Sequence, residues 1–238
     1  MRLPQEVLPW LAFRVRRASK DARPTFFFHI PKCAGTSVWA SLYDIYGTRH
    51  VYLANSGRRR KTFAAMSPEA RHAYSAVGGH GPLGYFREHL GAMGRYHKIV
   101  TLRDPIDRAI SEYNYIRGQA THPRHAEISA QSLKEFAASG LRADRQVTLL
   151  TGHGDDVEGA IEIVTHFFDD WSFSDGVGDL LQRLYDVTGT TPRGAMHKNK
   201  GASGPRRADL DPETLRLLQD RNRNDLVLIA ALRASLTQ

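Results

Sequence analysis

Residues His29-Ile-Pro-Lys-Cys-Ala-Gly-Thr-Ser37 place a lysine, a glycine and two hydroxyls directly after an apolar run. A strand, a tight loop and a first helical turn in that order point backbone N–H groups and a helix dipole at an anion. The candidate anion loop comprises Pro31, Lys32, Cys33, Ala34, Gly35, Thr36 and Ser37. Gly35 has no Cβ and admits close backbone approach. Lys32 adds a mobile point charge that can follow a leaving oxygen. The nucleoside-triphosphate P-loop needs its Lys after the glycines, and here Lys32 precedes Gly35. The bland alternative is a strand-to-helix turn with an exposed lysine.

A second segment, Lys98-Ile-Val-Thr-Leu-Arg-Asp-Pro-Ile-Asp-Arg-Ala-Ile-Ser111, repeats the theme. Asp104 is placed to cap a helix and Pro105 to start it. Ser111 follows Arg103 by about two helical turns. Arg103 could then supply a planar fork and Ser111 a hydroxyl to one phosphate. A surface salt bridge between Arg103 and Asp107, with Ser111 solvated, is the alternative. Ile106, Ile110 and Tyr113 share a core-facing stripe; Arg108, Ser111 and Tyr115 share another. Two such sites in one small domain suggest a nucleotide carrying phosphates at two places.

The elements that must position these groups follow from periodicity. Residues 25–30 form a near-continuous apolar run, the pattern of a parallel strand covered on both faces. Further strands are expected at 50–53, 73–77, 98–102 and within 160–168. Helices are expected at 36–46, from Ser67 and Pro68, at 104–117, 132–138, 143–150 and 176–188, and from the Asp211 cap to about 233. Residues 55–61, 121–129 and 192–205 read as loops, the first with four basic residues, 58–61. Alternating strands and helices give an α/β fold with a central, mostly parallel sheet flanked by helices in three layers. Ligands in such sheets bind beyond the carboxyl ends of the strands; both anion segments follow strand ends.

The chain has 238 residues, enough for one domain with a sizeable core. Its formal net charge of +8 favours an acidic partner: nucleic acid, an anionic membrane surface, a phosphorylated cofactor or a polyanionic glycan. One cysteine, Cys33, excludes an intrachain disulfide. No apolar run approaches the roughly 20 residues of a membrane span. Residues 1–22 read as a basic amphipathic extension, with residues 1–20 able to lie on an acidic membrane surface; packing on the protein itself or disorder is the alternative. Residues 23–238 read as a single domain. The start lacks a signal-peptide pattern, so a cytoplasmic location, peripheral to the membrane if 1–20 bind it, is expected.

With both loops in view, the chain resembles PAPS-dependent sulfotransferases of the carbohydrate type, the uronyl 2-O-sulfotransferases and their bacterial relatives. The stretch from His29 to Ser37 is similar to that family's 5′-phosphosulfate loop, where the lysine is catalytic, and Leu102 to Tyr113 to its 3′-phosphate segment, where Arg and Ser hold the phosphate. Gly79-His80-Gly81 resembles a segment whose histidine is a candidate general base. His197-Lys-Asn-Lys-Gly201 resembles a late loop that closes over the nucleotide, which assigns Asn199, Lys200 and Gly201 to donor binding. The C-terminal helix, with Asp225, is also similar. The likeness runs from about residue 26 to 233.

The resemblance implies a three-layer, P-loop-like fold and transfer of a sulfuryl group from 3′-phosphoadenosine 5′-phosphosulfate (PAPS) to a hydroxyl, leaving 3′,5′-ADP (PAP). The acceptor implied is a carbohydrate or glycolipid, with neither metal nor nucleic acid. Lys32 and His80 are then the catalytic candidates, because imidazole suits a base near neutral pH. Glu112 is the second candidate base. His80 as a turn histidine and Glu112 as a helix-surface carboxylate are the alternatives. Residues 58–61 could grip an acidic glycan or be a solvated run. Two rival functions stand beside this reading: a kinase-like nucleotide phosphotransferase, and a non-catalytic polyanion-binding module.

Overall fold

The computed structural model describes residues 17–193 and 204–236. Its sheet has five strands in the order β2-β3-β1-β4-β5. They are β1 (Thr25–Phe28), β2 (Val51–Ala54), β3 (Ala76–Gly79), β4 (His97–Leu102) and β5 (Asp170–Phe173). Every neighbouring pair is parallel, in line with the expected architecture. In chain order the first helices are α1 (Gly35–Tyr46), α2 (Gly57–Ala65), α3 (Pro68–His72), α4 (Leu83–Leu90), α5 (Pro105–Gly118) and α6 (His125–Ser129). They are followed by α7 (Leu133–Glu135), α8 (Arg145–Thr151), α9 (Val157–Glu162), α10 (Val177–Val187), α11 (Pro212–Arg221) and α12 (Arg223–Ser235).

The apolar run of β1 is split between the faces by its pleat. Phe26 and Phe28 join a core with Val100 of β4 and residues of α4, α8, α9 and α12. Phe27 joins a second core with Ile99, Val38, Leu42 and Leu184, under α1 and α10. Helix α5 belongs to a third cluster, where Ile106, Ile110 and Tyr113 pack with Phe136 and Leu218. All three layers are thereby closed.

Sheet register aligns the strand ends. Phe28 of β1 is level with Gly79 of β3 and Val100 of β4, Ala54 of β2 is level with Gly79, and Leu102 is level with Phe173 of β5. The glycine pair of β3 is a packing requirement. A Cβ on Gly78 would sit 2.0 Å from the Phe27 carbonyl oxygen, and one on Gly79 would sit 2.5 Å from the Ala54 carbonyl. Both have φ in the region that L side chains avoid, at 153° and 143°.

Four expectations change. Residues 55–61 are not a loop: Ser56 accepts a hydrogen bond from the Arg59 amide and caps α2. Residues 160–168 are not strand. Asp156 caps α9, which runs into a π-helical turn over Ile163–Phe167, and Ala160, Val164 and Phe168 recur at helical spacing into the core. The fifth strand lies just beyond, as a short edge with one buried side chain. The final helix is two helices, broken at the buried Asn222, whose amide Nδ2 donates to the Leu218 carbonyl at 2.7 Å. Part of the His-bearing loop is the short α6, and α4 was not anticipated at all.

Residues 17 and 18 pack on the domain: Arg17 pairs with Asp44 at 2.9 Å and Ala18 enters the core beneath α1. Among the described residues no helix is long and apolar enough to cross a membrane.

Candidate active site

A cleft of about 1740 Å³ opens over the carboxyl ends of the strands. The residues that immediately follow the five strands, His29, Asn55, His80, Arg103 and Ser174, all line it. Its volume exceeds the roughly 300–1,000 Å³ of a single small-molecule pocket.

Seven sequence-derived site residues of the first loop divide sharply. Pro31, Lys32, Ala34, Gly35, Thr36 and Ser37 line the cleft. Cys33 does not. Its thiol is fully buried beside Gln146 and burial pushes it up to about 12, while its amide already donates to the Ile30 carbonyl at 3.3 Å. Neither group of Cys33 is offered to a ligand, so its assignment to donor binding is corrected. Lys32 and Ala34 hold positive φ of 71° and 58°, strained for residues with a Cβ. That kink lets α1 begin with no side-chain cap, and the first-turn amides of Gly35 and Thr36 have no intrahelical partner. Gly35 has a reason the sequence did not give: a Cβ there would lie 1.7 Å from His29 Nε2. The Lys32 ammonium rests 3.7 Å from the centre of the Tyr115 ring.

Arg103 and Ser111 line the same cleft. Arg103 Nη1 donates to the Lys32 carbonyl at 3.1 Å, which ties the two loops together; the alternative pairing with Asp107 is not formed. Asp104 accepts from the Ile106 and Asp107 amides at 3.0 and 3.1 Å. The start of α5 is therefore capped by its own carboxylate, and anion binding there falls to side chains alone.

Behind Arg103 stands a residue that sequence reasoning missed. Gln146 Oε1 accepts from the Arg103 amide at 3.0 Å and Nε2 donates to the Arg103 carbonyl at 2.9 Å. The Gln146 amide itself donates to the buried Asp225 carboxylate, which also receives Val147. No local pattern near 146 signals this, because its partners lie 43 and 79 positions away.

His80 is half-buried at the end of β3. Burial pushes its pKa down to about 4, assisted by the Arg60, Arg145 and Lys32 charges and opposed by a hydrogen bond to the Asn55 backbone. Its Nε2 is buried with no hydrogen-bond partner among the described residues. The Asn55 bond thus falls to Nδ1, which as donor leaves Nε2 a bare lone pair. Glu112 lines the cleft too, but it accepts from Arg108 Nη1 at 2.8 Å, and the Arg108 charge holds its carboxyl below the usual range against the opposing effect of burial. A paired, already ionised carboxylate is the weaker base. Asn199, Lys200 and Gly201 lie outside the described residues; the chain is described again from Gly204, and the Pro205 carbonyl accepts from Asn114 on α5 at 3.1 Å.

Residues 19–172, more than half of the chain, match the model of the sulfotransferase family. The chain belongs to the sulfotransferase family. No curated protein matches it by sequence. Among solved structures it is similar to mouse sulfotransferase SULT7A1 complexed with PAP, at 14% identity and a TM-score of 0.43, over 92% of this chain and 69% of that one. It is also similar to retinol dehydratase in a complex with retinol and PAP, at 16% identity and a TM-score of 0.38, over 77% and 65% of the two chains.

In this sulfotransferase the cleft has a second cationic wall. Arg60, Arg142 and Arg145 line it, and none has a carboxylate within salt-bridge distance among the described residues. Arg60 Nη1 donates to the His80 carbonyl at 2.7 Å. Arg145 is half-buried, and burial followed by the adjacent Arg142 charge makes its proton easier to lose. Arg60 belongs to the basic run 58–61; Arg142 and Arg145 carried no signal until α8 folded beside the cleft.

Proposed function

We propose that this sulfotransferase moves a sulfuryl group from PAPS to a hydroxyl of an acidic carbohydrate. One observation supports the donor above all: the Arg103 guanidinium is bonded to the Lys32 backbone, and both loops open on one cleft. A ligand with an anion at each end of an adenosine fits that pairing, its 5′ end at the uncapped start of α1 and its 3′-phosphate at Arg103 and Ser111.

The residues divide the chemistry as follows. His80 Nε2 accepts the proton of the acceptor hydroxyl, whose oxygen forms the new bond to sulfur. The bond from sulfur to the 5′-phosphate oxygen breaks with its electron pair going to that oxygen, and Lys32 neutralises the charge that develops. Little else is required beyond alignment and fixed charge, as in phosphoryl transfer. The acidic character of the acceptor rests on Arg60 and Arg145, whose charges act on His80, and on Arg142 in the same cleft, none of them with a carboxylate within salt-bridge distance among the described residues. Carboxylate or sulfate groups suit arginine forks. Carbohydrate is favoured by the motif likeness, and an anionic glycolipid is the neighbouring case. Asn199 to Gly201 complete the proposed donor contacts, and a cytoplasmic site of action completes the reading, with any membrane contact left to the residues before Arg17, since residues 17–19 are engaged by the domain.

A thermal-shift screen with PAP, ATP and a heparin-like glycan tests the reading, since a ligand stabilises the state it binds. PAP and the glycan are expected to raise Tm and ATP is not; stabilisation by ATP with Mg²⁺ and none by PAP points to a kinase instead. The pH profile tests the base. Because His80 is neutral down to about pH 4, the acid limb of kcat/KM is expected near 4, and His80→Ala is expected to remove most turnover while PAP still binds. A limb near the ordinary histidine value of about 6.5 removes His80 from the role.

A further inference from the structure

The sheet brings a second histidine level with the first. Thr25 of β1 is in register with Ala76 of β3, so His29 follows β1 as His80 follows β3, on the same face of the pleat. Their ring centroids are 4.3 Å apart. His29 stacks on Phe27, with centroids 5.2 Å apart and planes 16° from parallel, and it lines the cleft.

The two rings are held in opposite tautomers. Trp39 Nε1 donates to His29 Nδ1 at 3.1 Å. A neutral imidazole whose Nδ1 accepts must carry its proton on Nε2. Burial first, then the neighbouring His80 and the Lys32 charge, hold the His29 pKa well below its ordinary value. His80 has the reverse arrangement, with Nδ1 on the Asn55 backbone and Nε2 bare. One corner of the cleft therefore holds an N–H beside a buried, unpartnered lone pair.

The location of that N–H matters. His29 Nε2 lies directly over Gly35, the residue that opens α1. With the donor's 5′ anion at the start of α1 and the acceptor hydroxyl at His80, the transferred group crosses the space between them. His29 touches one side of that space and neighbours the other. It cannot serve as a second base, because Nδ1 is engaged by Trp39 and Nε2 already holds a proton.

We propose that His29 is a catalytic residue whose Nε2–H donates to a peripheral oxygen of the sulfuryl group while that group passes from the 5′-phosphate to the acceptor. His29 gains and loses no proton in the step; the acceptor's proton goes to His80 and the breaking bond's electron pair to the 5′-phosphate. A fixed neutral donor stabilises charge spread over the peripheral oxygens without reorganisation. This rests on the donor reading given above.

The test needs no variant at first. Histidine ¹⁵N spectra of the wild-type protein are expected to show His29 protonated at Nε2. Adding PAPS is expected to move that Nε2–H resonance, whereas PAP, which lacks the sulfuryl group, leaves it nearly in place. His29→Phe, which keeps a ring without a donor, is then expected to lower kcat about 10²–10³-fold with the PAP Kd changed less than about threefold; His29→Asn, which restores an N–H, recovers part of the loss. If PAP and PAPS both stabilise the protein but the His29 resonance responds to them alike, or His29→Phe turns over like wild type, His29 is not catalytic and the donor reading stands. If neither nucleotide stabilises the wild type, the donor reading falls and this assignment falls with it.

Discussion

At the β1–α1 junction two non-glycine residues take positive φ and the helix starts without a side-chain cap, whereas at the β4–α5 junction Asp104 caps the helix with two hydrogen bonds and Pro105 takes the first position. The two junctions share one topology and lie side by side over neighbouring strands. The first leaves backbone amides open and stores strain. The second uses up its amides and offers the Ser111 hydroxyl and the Arg103 guanidinium, the latter on a backbone held from behind by Gln146. In the proposed function, strain at the first junction falls where bonds are to change, and the satisfied, clamped junction falls where an anion is only gripped. A like topology does not make like sites, and the capping residue decides whether a helix start is free for a ligand.

Three perturbations sharpen that contrast. The largest effect is expected from Lys32→Ala, with kcat down about 10²–10³-fold and a smaller change in the PAP Kd by calorimetry. Equal losses in both would make the first junction a gripping site as well. Gln146→Ala removes two hydrogen bonds to Arg103, worth together about 1–3 kcal/mol, and should weaken PAP binding roughly tenfold while kcat at saturating donor stays close to wild type. A fall in kcat with unchanged PAP affinity would put the clamp on the chemical side instead. The smallest effect is expected for Ala34→Gly. Relief of a left-handed residue worth about 1 kcal/mol should raise Tm by about 2–4 °C in a calorimetric scan, and a lower Tm would show that the loop carries no strain at 34.

The centre of the sheet was legible in the sequence because residues 25–30 form a near-continuous apolar run that suits a doubly covered parallel strand, and β4 carries Ile99, Val100 and Leu102 directly before the second anion segment. The helix starts with Asp, Ser and Pro signals at 67, 104 and 211 were legible for the same local reason. The edge strand was not: Asp170–Phe173 buries one side chain, while the stretch before it carries an apolar repeat that suits helix equally well. Lys32, Arg103 and Ser111 were visible as motif residues. His29 stood in the same motif, yet its relation to His80 depends on register, which a sequence does not print. Gln146 was invisible because its partners lie far along the chain, and Arg145 because only the folding of α8 beside the cleft gives it a place there. Gly35 was visible for a different reason from the one the structure gives, since an imidazole occupies the space its missing Cβ leaves.

The hydrogen-bonded run from Asp225 through Gln146 to Arg103 has a consequence for biosynthesis. A nascent chain that has emerged past residue 111 already carries both anion segments, but the carboxamide that braces the second, Gln146, emerges later and its own anchor, Asp225, later still. A product ending before α12 would own the motif residues and Gln146 but not the carboxylate that anchors it, so the second anion segment is set only once α12 has folded back on α8.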